Sequence, residues 1–186
     1  KELTMCLRGV LMKKLIFLGL SLVTTFVNAS SNVKPIANEP ALVTVNWQSP
    51  EDYQDIRPAQ ELRSNFHRRT FAEFDRIFED LSSDLPEGYR WEVTVTNVDL
   101  AGEVRPTQGM GGGLIRVVRP IFFPQVSLGF TVYSANNDVV LAESVIVKDM
   151  NFSNRIRRVR MNDPLFFERA MLKRWFKRDV IARLTP

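Results

Sequence analysis

Alternating apolar and polar residues predict a central strand over 91–99. Every second side chain from Trp91 to Val95 is apolar, the period-two pattern of a half-buried strand. After Asn97 the apolar positions shift by one residue and resume at Val98. Because such a shift turns side chains to the other face of a sheet, it predicts a β-bulge or a strand buried on both faces.

The same patterns predict the elements on either side of this strand. A short apolar run at 42–47 predicts a first strand, and apolar residues at three- and four-residue steps predict a helix over 58–83. An edge strand at 114–119 and a hairpin over 126–149, with its turn at 135–138, follow. Asp163 and Pro164 are typical of a helix start, and that last helix should end near Leu184.

The order strand, helix, strand, strand, hairpin, helix predicts an α+β fold. We expect a single mixed, mostly antiparallel sheet of about five strands with two helices packed on it. The first strand–helix–strand passage should be a right-handed crossover, and the hairpin should add antiparallel strands.

The first 29 residues have the character of a targeting segment. The positive charges of Lys13 and Lys14 precede an apolar run at 15–23, and small residues then lead to Ala29. We expect a start at Met12, cleavage after Ala29 and a periplasmic or secreted product. Residues 1–29 are thus an extension plus signal peptide, 30–41 a flexible lead, and 42–184 a single domain.

Cysteine content and charge exclude several classes of function. The only cysteine, Cys6, precedes the predicted cleavage point, so the mature chain has no thiol chemistry or disulfide. Residues 151–186 have a net charge of +7 and residues 30–150 a net charge of −6. This asymmetry favours either internal pairing or binding to an anionic envelope component or an acidic protein. The mature chain is nearly neutral overall, which does not favour nucleic acid as a partner.

Three carboxylates are the weak catalytic candidates. Asp99, Glu103 and Asp149 follow predicted strands and could approach one another, as paired carboxylates do in glycosidases. The favoured alternative is that they pair with arginines and fix loops, since no recognised motif surrounds them. Arg57, Arg105 and Arg116 are the expected partners.

Two further segments are candidate contact surfaces. The basic segment contains Arg155, Arg157, Arg158 and Arg160 and no acidic residue, so it is a candidate for anionic partners. Phe122 and Phe123 lie between two prolines and form either an apolar contact, including a peripheral membrane contact, or a corner of the core. We expect no metal and no cofactor: His67 is the only histidine, and the glycine run at 109–113 lacks the lysine of a phosphate-binding loop.

A series of short motifs resembles a known family. The motifs, in order, are Asp55-Ile56-Arg57-Pro58, Asp99-Leu100-Ala101-Gly102-Glu103, Ile115-Arg116-Val117-Val118, Lys148-Asp149-Met150, and Glu168…Met171-Leu172…Trp175-Phe176. Together they resemble an exported family of Gram-negative bacteria catalogued as domain of unknown function three-zero-one-six. The resemblance implies a periplasmic or secreted protein and brings no reaction and no site residues with it.

From the sequence we expect a non-catalytic binding module of the cell envelope with a basic C-terminal surface. The alternative is a carboxylate-dependent hydrolase of envelope material. A third interpretation is a structural partner within a larger assembly. A deep polar site holding the three carboxylates would favour the hydrolase.

Overall fold

The computed structural model describes residues 42–53, 55–107, 112–155 and 163–184, which lie within one compact unit, Glu39–Pro186. The expected leader and flexible lead lie outside the described residues. In chain order the elements are β1 (Val43–Trp47), a 3-10 turn (Pro50–Asp52), α1 (Arg63–Ser82), β2 (Arg90–Asp99), β3 (Glu103–Pro106), β4 (Leu114–Val117), β5 (Gln125–Tyr133), β6 (Val139–Lys148), α2 (Phe152–Arg155), α3 (Phe166–Trp175), a π-helical segment (Phe176–Ile181) and α4 (Ala182–Leu184). None of the described helices is both long and apolar enough to cross a bilayer.

The α+β fold class is confirmed, with one difference in how the strands are divided. Four strands form a mixed sheet in the order β1-β2-β5-β6, in which β1 is parallel to β2 and the other pairs are antiparallel. β3 and β4 form a separate two-stranded ribbon in place of a fifth sheet strand. The division falls at Gly102, whose φ of 87° turns the chain sharply after β2.

Two local predictions on the sheet are also confirmed. The β2–β5 register shifts between Val95 and Asn97, which is the irregularity predicted from the change in apolar phase. The β5–β6 turn closes through a hydrogen bond from Ser134 N–H to the Asp138 carbonyl at 2.8 Å. Both features follow from short-range sequence patterns.

The core lies between one face of the four-stranded sheet and the helices. The Phe176 ring lies 4.7 Å from that of Trp91, and Trp175 meets Phe130 edge-on at 5.4 Å between ring centroids. Phe74 and the other apolar residues of α1 fill the rest of this layer. Burial of these large aromatic groups is the main source of stability expected for the fold.

Both main helices begin later than the sequence predicts. The Arg57 carbonyl, which a helix starting at Pro58 would use in its first turn, instead accepts a hydrogen bond from Arg116 Nη2 at 3.1 Å. α1 therefore begins at Arg63. Near the last helix, Asp163 Oδ1 accepts the Leu165 N–H at 3.1 Å and stabilises a turn that precedes α3.

Candidate functional site

A cleft of about 630 Å³ is the main candidate site. It lies between the start of α1, the end of β2, strand β4 and the start of α3, and its volume is in the range of small-molecule sites. Its lining is largely apolar and includes Phe66, Leu100, Leu114, Ile115, Val118, Phe166 and Phe167. The cleft is therefore built from four segments that are distant in sequence.

Glu168 is the most deeply buried ionisable residue of this cleft. It lies in the first turn of α3 with 2% of its surface exposed, and its Oε1 accepts the Ala101 N–H at 2.8 Å. Burial raises its pKa to about 7; Asp163 acts in the same direction, whereas the Ala101 N–H and Arg116 oppose the shift. The carboxyl group joins α3 to the loop after β2 and changes charge near neutral pH.

The sequence analysis did not identify Glu168 as a candidate site residue. The sequence does contain a usable signal: Glu168 is three residues after Leu165 and three before Met171, and both of those residues are buried. An acidic residue in phase with buried positions indicates a group with a specific role.

Arg116 fixes the ribbon as one wall of the cleft. Its guanidinium pairs with Asp55 at 2.5 Å and donates to the carbonyl oxygens of Arg57 at 3.1 Å and Gly102 at 3.2 Å. The planar fork of an arginine can bond several acceptors at once, which a lysine cannot do equally well. Arg116 thus joins β4 to the segments before α1 and after β2.

The charged groups around the cleft are almost all paired. Glu61 bonds Arg69 at 2.6 Å, while Glu73 and Asp163 lie 3.6 and 3.0 Å from Arg169. Among the described residues, the guanidinium of Arg57 forms no ion pair, although its side chain lines the cleft. Arg57 is therefore the charge that remains available to a ligand.

The three predicted catalytic carboxylates have separate surroundings, and none of them lines this cleft. Burial raises the pKa of Asp99, Asp55 raises it further, and Arg116 opposes the shift. Glu103 pairs with Arg105, and Asp149 pairs with Arg174. Their proposed catalytic role stays a prediction, and the cleft does not include them.

A second groove, of about 490 Å³, lies between β6 and the C-terminal helical segments. Asp149 and Arg174 line it, together with Glu143 and Arg183, which form a second ion pair at 2.7 Å. Arg174 and Arg183 thus have carboxylate partners, whereas Lys148, which also lines this groove, has no ion pair among the described residues.

The two predicted contact surfaces are only partly described. Phe122 and Phe123 are half-buried, and the Arg105 guanidinium lies 5.7 Å from the Phe122 ring centroid. The most exposed apolar side chain nearby is Ile121, at 70%. Arg155 ends α2, and Arg157, Arg158 and Arg160 lie outside the described residues.

Within the described ranges, no group of three or more histidine, cysteine or acidic side chains is arranged to hold a metal ion. His67 instead has its Nε2 2.8 Å from the Ile56 carbonyl oxygen. This contact joins α1 to the segment that leads into the cleft.

The family comparison covers most of this domain. A family model described as "Protein of unknown function (DUF3016)" matches residues 41–178, well over half of the 186-residue chain. The chain belongs to this family. The DUF3016 match spans every segment of the cleft and confirms the resemblance seen in the sequence motifs. No curated protein and no solved structure is significantly similar to this DUF3016 chain.

Proposed function

We propose that the protein is an exported, non-catalytic binding module of the cell envelope, and that its ligand site is the cleft. The observation that carries this proposal is a cavity of about 630 Å³ with largely apolar walls and one arginine, Arg57, without an ionic partner among the described residues. Apolar walls combined with placed polar groups are typical of sites that bind small molecules. Here seven of the lining residues are ionisable, and most of them are paired with one another or with neighbouring residues.

The hydrolase is the second candidate, and Glu168 is the observation that favours it. A carboxyl group with a pKa of about 7 in a cleft has the property of a general acid, and Asp163 lines the same cleft. However, Oε1 of Glu168 is already bonded to the Ala101 N–H, and Asp163 is bonded to Arg169 and to the Leu165 N–H. These bonds give both carboxylates structural roles, so binding without catalysis is the better interpretation.

The leader sequence supports export, and the basic segment supports a further contact with an anionic envelope component. We propose that contact in addition to the cleft, because none of the described cleft residues belongs to Arg155–Arg160. An anionic surface would hold the module near its ligand, and peripheral membrane contact is one form that this could take.

An anionic naphthalene dye that fluoresces on apolar surfaces tests the proposal. The mature wild-type protein should bind the dye saturably, and at least one fraction of a cell-envelope extract should displace it. Ile115→Glu places a charge in the cleft wall and should abolish binding. Ile146→Glu is the matched control, since Ile146 is an exposed strand isoleucine that does not line the cleft.

Dye binding that survives Ile115→Glu, or that no envelope fraction displaces, would contradict a ligand site in the cleft. If the wild-type protein instead consumed a component of the extract and Glu168→Gln abolished that turnover while remaining folded, the hydrolase would replace the binding module.

A further inference from the structure

We infer that the cleft binds a single-chain fatty acid, with the alkyl chain along the apolar wall and the carboxylate at Arg57. This inference rests on the proposed function, because it names the ligand class of the same cleft. It is carried by three features of the described residues: the apolar wall, the exposure of that wall, and the balance of charge around it.

The apolar wall continues from the interior to the rim of the cleft. Leu114, Ile115 and Val118 are 42, 42 and 45% exposed, yet all three line the cavity. Contiguous exposed apolar side chains on a soluble domain are typical of a surface that a partner or ligand covers. An alkyl chain bound against them would remove this surface from water without needing polar partners.

Aromatic residues of two helices add to the apolar lining. Phe66 of α1 and Phe166 of α3 are half-buried and face the same cavity as the ribbon residues. A flexible alkyl chain can follow such an irregular apolar surface and needs no hydrogen-bonding partner on it.

The charge balance selects an anionic head group with a single charge. Of the cationic lining residues, Arg69 and Arg116 have carboxylate partners, whereas Arg57 has none within the described part of the chain. The acidic lining residues are bonded to arginines or, for Glu168, to a backbone N–H. A carboxylate ligand would therefore pair with Arg57, in the fork geometry that suits the two groups. A zwitterionic head group would find no unpaired acidic side chain in the described lining.

A chain-length series on the mature protein tests the apolar part of this inference. Octanoate, decanoate and dodecanoate, each below its micelle concentration, should bind by calorimetry and displace the naphthalene dye. Each added pair of methylenes that enters the cleft should tighten binding by about tenfold. Ile115→Glu should abolish binding of all three, and Ile146→Glu should leave it unchanged.

The head group is tested by comparing dodecanoate with dodecanol. Arg57→Gln should weaken dodecanoate binding by about tenfold or more and leave dodecanol binding nearly unchanged. Arg68→Gln is the control, because Arg68 is an exposed arginine of α1 outside the cleft lining. An equal effect of Arg57→Gln on acid and alcohol, or an affinity that does not rise with chain length, would overturn the inference.

Failure of the inference is distinguishable from failure of the proposed function. If an envelope fraction displaces the dye but fatty acids do not, the ligand belongs to another class, such as a peptide or a two-chain lipid. The cleft would then remain a binding site while the fatty acid is excluded. If nothing displaces the dye, both proposals are wrong.

Discussion

At the residue scale, Glu168 is the side chain whose position most needs a physical account. A carboxylate is poorly solvated inside an apolar cavity, so burial disfavours its charged form. The Ala101 N–H and the N-terminal end of α3 act in the opposite direction, because both favour negative charge. The result is a pKa of about 7 in place of the usual 4.5.

Glu168 should therefore make stability depend on pH. The folded protein keeps the proton up to about pH 7, whereas the unfolded chain releases it near pH 4.5, so the folded state binds more protons between these values. The free energy of unfolding should fall by about 3 kcal/mol from this group as pH rises through that window. Glu168→Gln keeps an acceptor for Ala101 but removes the titration.

Urea unfolding of both proteins from acid to neutral pH measures this effect. The difference in unfolding free energy, wild type minus Glu168→Gln, should become less favourable to the wild type as pH rises. Other groups, including Asp99 and Asp75, whose pKa values burial also raises, are present in both proteins and cancel. Parallel pH profiles would contradict the assignment.

Gly102 is the second residue on which the geometry of the site depends, because the chain turns there from β2 into the ribbon. Its φ of 87° is unfavourable for other residues, and an added Cβ would lie 2.7 Å from the Val117 carbonyl oxygen. Gly102→Ala should therefore lower the free energy of unfolding by about 2 kcal/mol or more. Gly129→Ala is the control, because the nearest atom to its Cβ would be Ser144 Oγ at 3.4 Å. Equal urea midpoints for the two variants would show that the ribbon can move to accommodate the methyl group.

At the element scale, the sequence predicts what is periodic and misses what depends on contacts between distant segments. The alternation in β2, the shift at Asn97 and the hairpin are local patterns, and the structure has all three. The β3–β4 ribbon is not local in this sense, because its two short strands are separated by a glycine-rich stretch and β3 follows the turn at Gly102. The π-helical segment is likewise invisible to a period of 3.6 residues.

The cleft could not be predicted for the same reason. Its residues come from four segments, and none of these carries a recognisable catalytic or binding motif. Arg116 was expected to pair with one of Asp99, Glu103 and Asp149, but its ion pair is with Asp55. The three carbonyl acceptors of Arg116 cannot be deduced without the pairing of strand β4.

The ribbon should be held in place mainly by Arg116. Arg116→Gln removes the ion pair to Asp55 and the bonds to backbone carbonyls, leaving half-buried acceptors unsatisfied, so unfolding free energy should fall by about 2 kcal/mol. Arg116→Lys should recover only part of the lost unfolding free energy. Arg105→Gln is the control on the same ribbon: its ion pair with Glu103 is exposed, and the expected cost is below about 0.5 kcal/mol.

Hydrogen exchange should show which part of the structure Arg116→Gln destabilises. Amides of β3 and β4 should exchange faster in Arg116→Gln, while those of β2 and β5 change less, because the ribbon opens before the four-stranded sheet does. Uniform acceleration across both sheets would mean that Arg116 supports the whole fold and does not specifically hold the ribbon.

At the scale of the whole molecule, part of the charge asymmetry is internal pairing. Arg169 of α3 lies 3.3 Å from Asp80 and 3.6 Å from Glu73 on α1, and Lys177 lies 3.7 Å from Asp84. Two of the described C-terminal cations therefore pair with acidic residues of α1 or of the turn that follows it. Arg174 and Arg183 pair instead with carboxylates at the end of β6 and within it. This pairing orients the two helices but does not account for the basic segment, which lies between α2 and α3.

The basic segment should make a reversible contact with an anionic surface. Each arginine contributes about 1 kcal/mol near such a surface, so Arg155, Arg157, Arg158 and Arg160 together give about 4 kcal/mol, or roughly millimolar affinity. Co-sedimentation of the mature protein with anionic vesicles should therefore be measurable at low salt. Vesicle binding should weaken at physiological salt, where the screening length is about 8 Å.

Changing both Arg157 and Arg158 to Glu should abolish vesicle binding. Changing Arg68 and Arg76 to Glu alters the net charge equally but should have the smaller effect, because both arginines are exposed on α1 outside the basic segment. Binding that is indifferent to salt and to both charge reversals would contradict an electrostatic contact, and equal effects of the two double variants would assign the attraction to net charge instead of to this segment.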